Sequence, residues 1–153
     1  MSDTCRYFDK IGTRRDMDNQ AYINLIEKAK EARDNAYAPY SNYKVGAALL
    51  SCDGSVYCGA NIENSAFSET VCAERVAFFN AISTGMDRDF CAIAIVGGKD
   101  EISSFAFPCG ACRQVMSEFC KGNFKIILFD GKNIEVYTLK ELLPCDFSAK
   151  NLK

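Results

Sequence analysis

The residues best suited to chemistry in this chain are thiols and one carboxylate. Cys109 and Cys112 form a Cys-x-x-Cys pair in Pro108-Cys109-Gly110-Ala111-Cys112-Arg113-Gln114, and Cys72 heads Cys72-Ala73-Glu74-Arg75 upstream. A Cys-x-x-Cys at a helix start lets both sulfurs reach one ion from the same turn; taken alone, such a pair could equally be buried thiols or a redox couple. Helix N-termini favour thiolate over thiol, because their free N–H groups and the helix dipole stabilise negative charge. Adding Cys72 gives a third protein ligand. Three ligands leave the fourth tetrahedral position of a zinc ion to water, the pattern of a catalytic rather than a structural site. A closed structural site would need a fourth thiolate, for which Cys91 and Cys120 are the candidates; neither is well placed.

Three thiolates on Zn²⁺ leave a net charge of about −1, so the metal acidifies water less than one held by neutral imidazoles. Arg75 is placed to offset that charge, with Arg113 a second candidate. The chain contains no histidine. Ser-His-Asp and Cys-His nucleophilic machinery is therefore excluded. Glu74, two residues beyond Cys72, becomes the natural group to take a proton from water and return it to a substrate. Away from a ligand cysteine, it would be only an ordinary first-turn helix carboxylate.

These residues need two helices to present them. Residues 72–83 carry Ala, Phe and Ile at helical spacing and end near Gly85, a C-cap signal. Pro108 opens a second Cys-headed segment whose apolar face would be Ala111, Val115, Met116 and Phe119. An earlier helix is predicted over 18–37, with Tyr22, Leu25, Ile26, Ala29 and Ala36 as its stripe, ending before Pro39. Strands are predicted over 44–50, 55–60, 90–96, 124–129 and 134–138. Asp53-Gly54 and Asp130-Gly131 mark hairpins. Residues 139–143 suit a short helix. Strands alternating with helices indicate an α/β layered domain, and the hairpins make its sheet mixed. The first 17 residues show no periodicity and read as a flexible leader, which leaves 18–153 as a single domain.

Composition narrows the function further. A chain of 153 residues can bury a core without staples, so its nine cysteines read as thiols or ligands in a reducing compartment rather than as disulfides. The net charge of −2 is scattered, and the pI near 5.2 disfavours a nucleic acid polymer as partner. No stretch approaches the roughly 20 apolar residues of a membrane span, and no signal peptide opens the chain. The expected location is the cytoplasm.

Cys-Ala-Glu followed by Pro-Cys-Gly-Ala-Cys-Arg-Gln resembles the zinc-dependent cytidine deaminases of the small homotetrameric type. The likeness extends to Ala38-Pro39-Tyr40-Ser41-Asn42-Tyr43-Lys44-Val45-Gly46-Ala47-Ala48, similar to that family's first strand, and to Asn61-Ile62-Glu63-Asn64, similar to its ribose-binding segment. Glu141-Leu142-Leu143-Pro144 with Phe147 is similar to its C-terminal element, so residues 18–147 are covered. The resemblance implies a three-layer α/β/α sandwich with a mixed five-stranded sheet, and one Zn²⁺ per subunit on Cys72, Cys109 and Cys112. It implies Glu74 as proton shuttle and Arg75 as charge balance. Asn61 and Glu63 would contact the sugar hydroxyls, and Tyr43, Ala73 and Phe67 would line the substrate. Phe147 would cover the pyrimidine of a neighbouring subunit in a homotetramer. The implied reaction is hydrolytic deamination of cytidine and deoxycytidine in pyrimidine salvage. Deamination of a cytosine-bearing antibiotic such as blasticidin S is a close alternative, disfavoured because such antibiotics lack an ordinary ribose. Editing of RNA or DNA is disfavoured by the acidic pI and the missing histidine. A non-catalytic zinc-stabilised binding domain would require a closed fourth position.

Overall fold

The computed structural model describes residues 6–8, 14–85 and 89–152. In chain order its elements are β1 (Arg6–Phe8), β2 (Arg14–Asp16), α1 (Asn19–Arg33), β3 (Lys44–Ser51), β4 (Val56–Ala60), α2 (Ala73–Ser83) and β5 (Phe90–Gly98). α3 (Gly110–Phe119), β6 (Lys125–Phe129), β7 (Ile134–Thr138) and α4 (Leu139–Leu142) follow. Short 3₁₀ turns lie at Phe67–Glu69 and Ala149–Leu152.

Five strands form one mixed sheet in the order β4-β3-β5-β6-β7. Only β5 and β6 run parallel, and the connection between them carries α3, as a parallel pair requires a crossover. The hairpins turn where Asp-Gly predicted, with Gly54 at φ 91° and Gly131 at φ 99°, a region most side chains avoid. β5 is buried along its whole length, which explains why its apolar run does not alternate with polar residues. Ile93 and Ile95 pack on one face with Ala77, Phe78 and Met116 of the α2 and α3 layer. Ala92, Ala94 and Val96 pack on the other with Leu25, Ile26 and Ala29 of α1. The result is the expected three-layer arrangement around a mixed five-stranded sheet.

Several expectations shift. α1 begins at the Asp18 cap, whose carboxylate accepts from Ala21 N at 2.8 Å, but it ends at Arg33. Ala36 therefore lies outside the helix, and the buried stripe is Ala21, Leu25, Ile26, Ala29 and Ala32. On α3, Cys112 and Met116 are the buried positions and Ala111 is exposed, because the helix rotates its cysteine inward. Within the stretch read as a leader, β1 and β2 pair antiparallel, and Tyr7 packs on the α1 side of the sheet. The remainder of 1–17 apart from Met17 lies outside the described residues. Cys52 and Cys91 are joined by a disulfide with Cα atoms 5.5 Å apart, where composition pointed to thiols. The β3–β5 register brings them together: Ser51 pairs with Phe90, and Cys52 N donates to Asp89 O at 2.8 Å.

Candidate active site

Cys72 is the N-cap of α2 and Cys109 the N-cap of α3, and neither side chain makes a capping hydrogen bond. Both sulfurs therefore stand at helix N-termini, where the helix dipole favours negative charge. Cys112 enters from the first turn of α3 and is buried. The Cys72 and Cys109 sulfurs lie 3.8 Å apart, and those of Cys109 and Cys112 lie 3.6 Å apart. Ligands at a Zn–S distance of about 2.3 Å on a tetrahedron stand roughly 3.8 Å from one another, so the three sulfurs already describe one face of a zinc site. Among the described residues these three cysteines form the group able to hold a metal. Cys91 is tied to Cys52, and Cys120 is outside the group, so among the described residues no fourth thiolate closes the site.

Charge around the sulfurs is uneven. Cys72 is drawn down to about 5, first by a hydrogen bond from the Cys112 thiol, with burial opposing and the Arg75 guanidinium assisting. Cys112 is raised, because it is the donor to Cys72, is buried, and sits near Glu74. Arg75 Nη2 donates to Thr70 O at 3.1 Å and approaches Cys72 Sγ at 3.7 Å. Its Nε is buried without a hydrogen-bond partner. A cation with a donor to spare beside three convergent thiols fits the negative charge that a tris-thiolate zinc would carry. Arg113 serves the backbone instead. It donates to Pro108 O at 2.8 Å and Leu142 O at 2.9 Å, clamping the start of α3 to the end of α4.

Glu74 lies in the first turn of α2 and is 4% exposed. Burial pushes its carboxyl up to about 7, with the neighbouring Cys72 adding to the rise. It lines a cavity of about 290 Å³ together with Cys72, Ala73, Cys109, Tyr43 and Asn61. A second cavity of about 370 Å³ is lined by Tyr40, Ser41, Glu63, Phe67 and Thr70. Thr70 lines both, so the two adjoin. The predicted residues are therefore divided: Tyr43, Asn61 and Ala73 stand with the thiols, Glu63 and Phe67 next door. Phe147 lines neither cavity; it is 60% exposed, and its carbonyl accepts from Gln114 Nε2 at 2.7 Å.

Val45, Thr70, Ile95, Phe105, Ala106 and Phe107 also line the inner cavity and were not foreseen. A signal existed in Gly97: a Cβ there would stand 2.8 Å from Ala106 Cβ and 3.0 Å from the Tyr43 ring. That glycine lets the loop before Pro108 and the Tyr43 ring close over the end of β5.

Known proteins resemble this chain in sequence and fold. Residues 19–128 match the family model described as the cytidine and deoxycytidylate deaminase zinc-binding region. The chain is 52% identical over 129 residues to the cytidine deaminase of Sporosarcina psychrophila, covering 84% of this chain and 92% of that one. It is 31% identical over 135 residues to the blasticidin-S deaminase of Bacillus cereus, covering 85% and 94% respectively. The crystal structure of cytidine deaminase from Burkholderia pseudomallei matches with a TM-score of 0.76 at 45% identity, covering 86% of this chain and 100% of that one.

Proposed function

The chain belongs to the cytidine and deoxycytidylate deaminase family, and on that premise we propose that it hydrolyses the exocyclic amine of cytidine and deoxycytidine, leaving uridine and deoxyuridine. The observation that carries this reading is a buried carboxylate, Glu74, lining a cavity beside three convergent sulfurs. Cys72, Cys109 and Cys112 would hold one zinc ion per subunit, which when bound supplies the Lewis acidity that makes water nucleophilic near neutral pH. Glu74 takes the proton from the attacking water, passes it to ring N3, and carries a second to the departing amine. A C4–O bond forms, the C4–N bond breaks, and ammonia leaves. A carboxyl raised toward neutrality by burial suits both giving and taking a proton. Arg75 stabilises the thiolates that hold the ion.

The substrate is a free nucleoside. Among the described residues no lysine or arginine lines either cavity, and their carboxylates are Glu63 and Glu74. A phosphate would meet carboxylates and no cation, whereas a sugar hydroxyl can donate to Glu63. Tyr43 and Phe67 flank the substrate. Phe147 reaches a pyrimidine only across the interface of a homotetramer. The expected setting is cytoplasmic pyrimidine salvage, without a polymer partner; among the described residues no helix is long and apolar enough to cross a membrane.

Following the ultraviolet absorbance of cytidine with zinc-loaded protein tests the reading. Turnover should stop on chelation and return with added zinc. A zinc-loaded sample inert toward cytidine and deoxycytidine would overturn it, and faster turnover of blasticidin S would replace the substrate.

A further inference from the structure

We propose that Ser41 is a positioning residue, which fixes the Glu63 carboxylate for sugar recognition and couples it to the backbone of Tyr43. The proposal rests on the nucleoside reading above and extends it to a residue with no role assigned there. Glu63 is surface-accessible, and a free glutamate there would sample several rotamers. Instead its Oε2 accepts from Tyr40 N at 2.8 Å and Ser41 N at 3.2 Å, while the Ser41 hydroxyl donates to Oε1. The same hydroxyl oxygen accepts from Tyr43 N at 2.9 Å. One side chain thus links the carboxylate of the outer cavity to the aromatic residue of the inner one.

The backbone between them is held in an uncommon state. Asn42 adopts φ 57°, and its N–H donates to Ala38 O at 3.0 Å. A non-glycine residue keeps that conformation where its surroundings impose it, and here it turns Tyr43 N back onto Ser41. Asn61 is already engaged: Oδ1 accepts from Val45 N at 2.8 Å and Nδ2 donates to Tyr43 O at 2.9 Å. It chiefly anchors the start of β3, which leaves Glu63 to accept from a sugar hydroxyl. A carboxylate has about four lone-pair sites. Three are used by Tyr40 and Ser41, which leaves roughly one, aimed by the Ser41 hydroxyl.

Steady-state kinetics of zinc-loaded wild type, Ser41→Ala and Ser41→Thr would test this, using cytidine and 2′,3′-dideoxycytidine, which lacks both ring hydroxyls, alongside thermal melting. Ser41→Ala should raise KM for cytidine roughly tenfold, the loss of one hydrogen bond to a charged group, with kcat within about twofold. The KM for the dideoxy compound should rise by a smaller factor than that for cytidine, and Ser41→Thr should restore the cytidine KM. Unchanged cytidine kinetics in Ser41→Ala would sink the proposal. So would equal losses on both compounds together with a lowered melting temperature, the mark of a merely structural role. A wild type that turns over neither compound defeats the deaminase reading itself. A wild type that turns over both equally well leaves that reading standing and removes the sugar role of Glu63, and Ser41's with it.

Discussion

Burial of Glu74 raises its carboxyl from 4.5 to about 7, and the same burial sets activity against stability. Between those two pH values the unfolded chain has released the proton that the folded chain keeps, so folding loses support as pH rises. The contribution is complete below pH 4.5 and gone above 7, a loss of about 3 kcal/mol. Cys72 acts with the opposite sign: depressed from 9.0 to about 5, it supports folding at high pH and loses that support as pH falls through about 5. Glu74→Gln removes the first effect and spares the second. The variant should keep its zinc while kcat drops by at least ~10³-fold, since a general acid–base group is gone. Without metal it should unfold at higher denaturant than wild type at pH 8, with the gap closing toward pH 4.5. Near-normal turnover would refute the role given to Glu74, and parallel pH–stability curves would refute the cost assigned to its burial. Cys72, Glu74, Cys109 and Cys112 were legible in the sequence because helix starts and short spacings are local facts. Phe105 and Phe107 were not, since an irregular loop carries no period and only the folded chain shows which way it closes.

The accuracy of the site depends on how α2 seats against the sheet, because that helix carries both Cys72 and Glu74. Gly59 in β4 makes the close seat possible: a Cβ there would run into Ala73 O and Ala77 N of α2. Gly46 in β3 does the same for α1, where a Cβ would run into Ala29 O and Arg33 N. Gly59→Ala and Gly46→Ala should each cost about 3 kcal/mol, measured by denaturant unfolding of the metal-free proteins, because backbone cannot yield as a flexible side chain does. Only Gly59→Ala should also weaken zinc retention per folded molecule on dialysis against a competing chelator, since it displaces the helix that bears a ligand. Equal zinc retention in the two variants would show that the cluster tolerates movement of α2. Neither contact can be read from the sequence, where both glycines are simply interruptions of a strand pattern. The elements themselves were readable from periodicity and Asp-Gly turns. The end of α1, the β1–β2 pair and the Cys52–Cys91 bond were not, because each is set by partners distant in the chain.

A single chain leaves apolar surface around the site. Tyr37, Tyr40, Ile62 and Phe67 are all exposed, Phe67 by 74%. They are neighbours: Tyr37 bridges to Ile62, and the Tyr40 and Phe67 rings meet edge-on at 5.8 Å between centroids. Clustered apolar side chains of this kind on a soluble protein mark an interaction surface. Phe147 points to the same conclusion from the other side. It lines neither cavity of its own chain, so the covering role implied by the resemblance can be met only on another subunit. The homotetramer proposed above would satisfy both observations, burying the aromatic rim and supplying a foreign ring to each site. Light scattering of the purified protein at micromolar concentration should then give close to four times the chain mass of 16.9 kDa. A monomeric mass would leave the exposed ring cluster uncovered and give Phe147 no route to any substrate. Closure of the pyrimidine pocket would then have to come from Phe105 and Phe107 of the same chain.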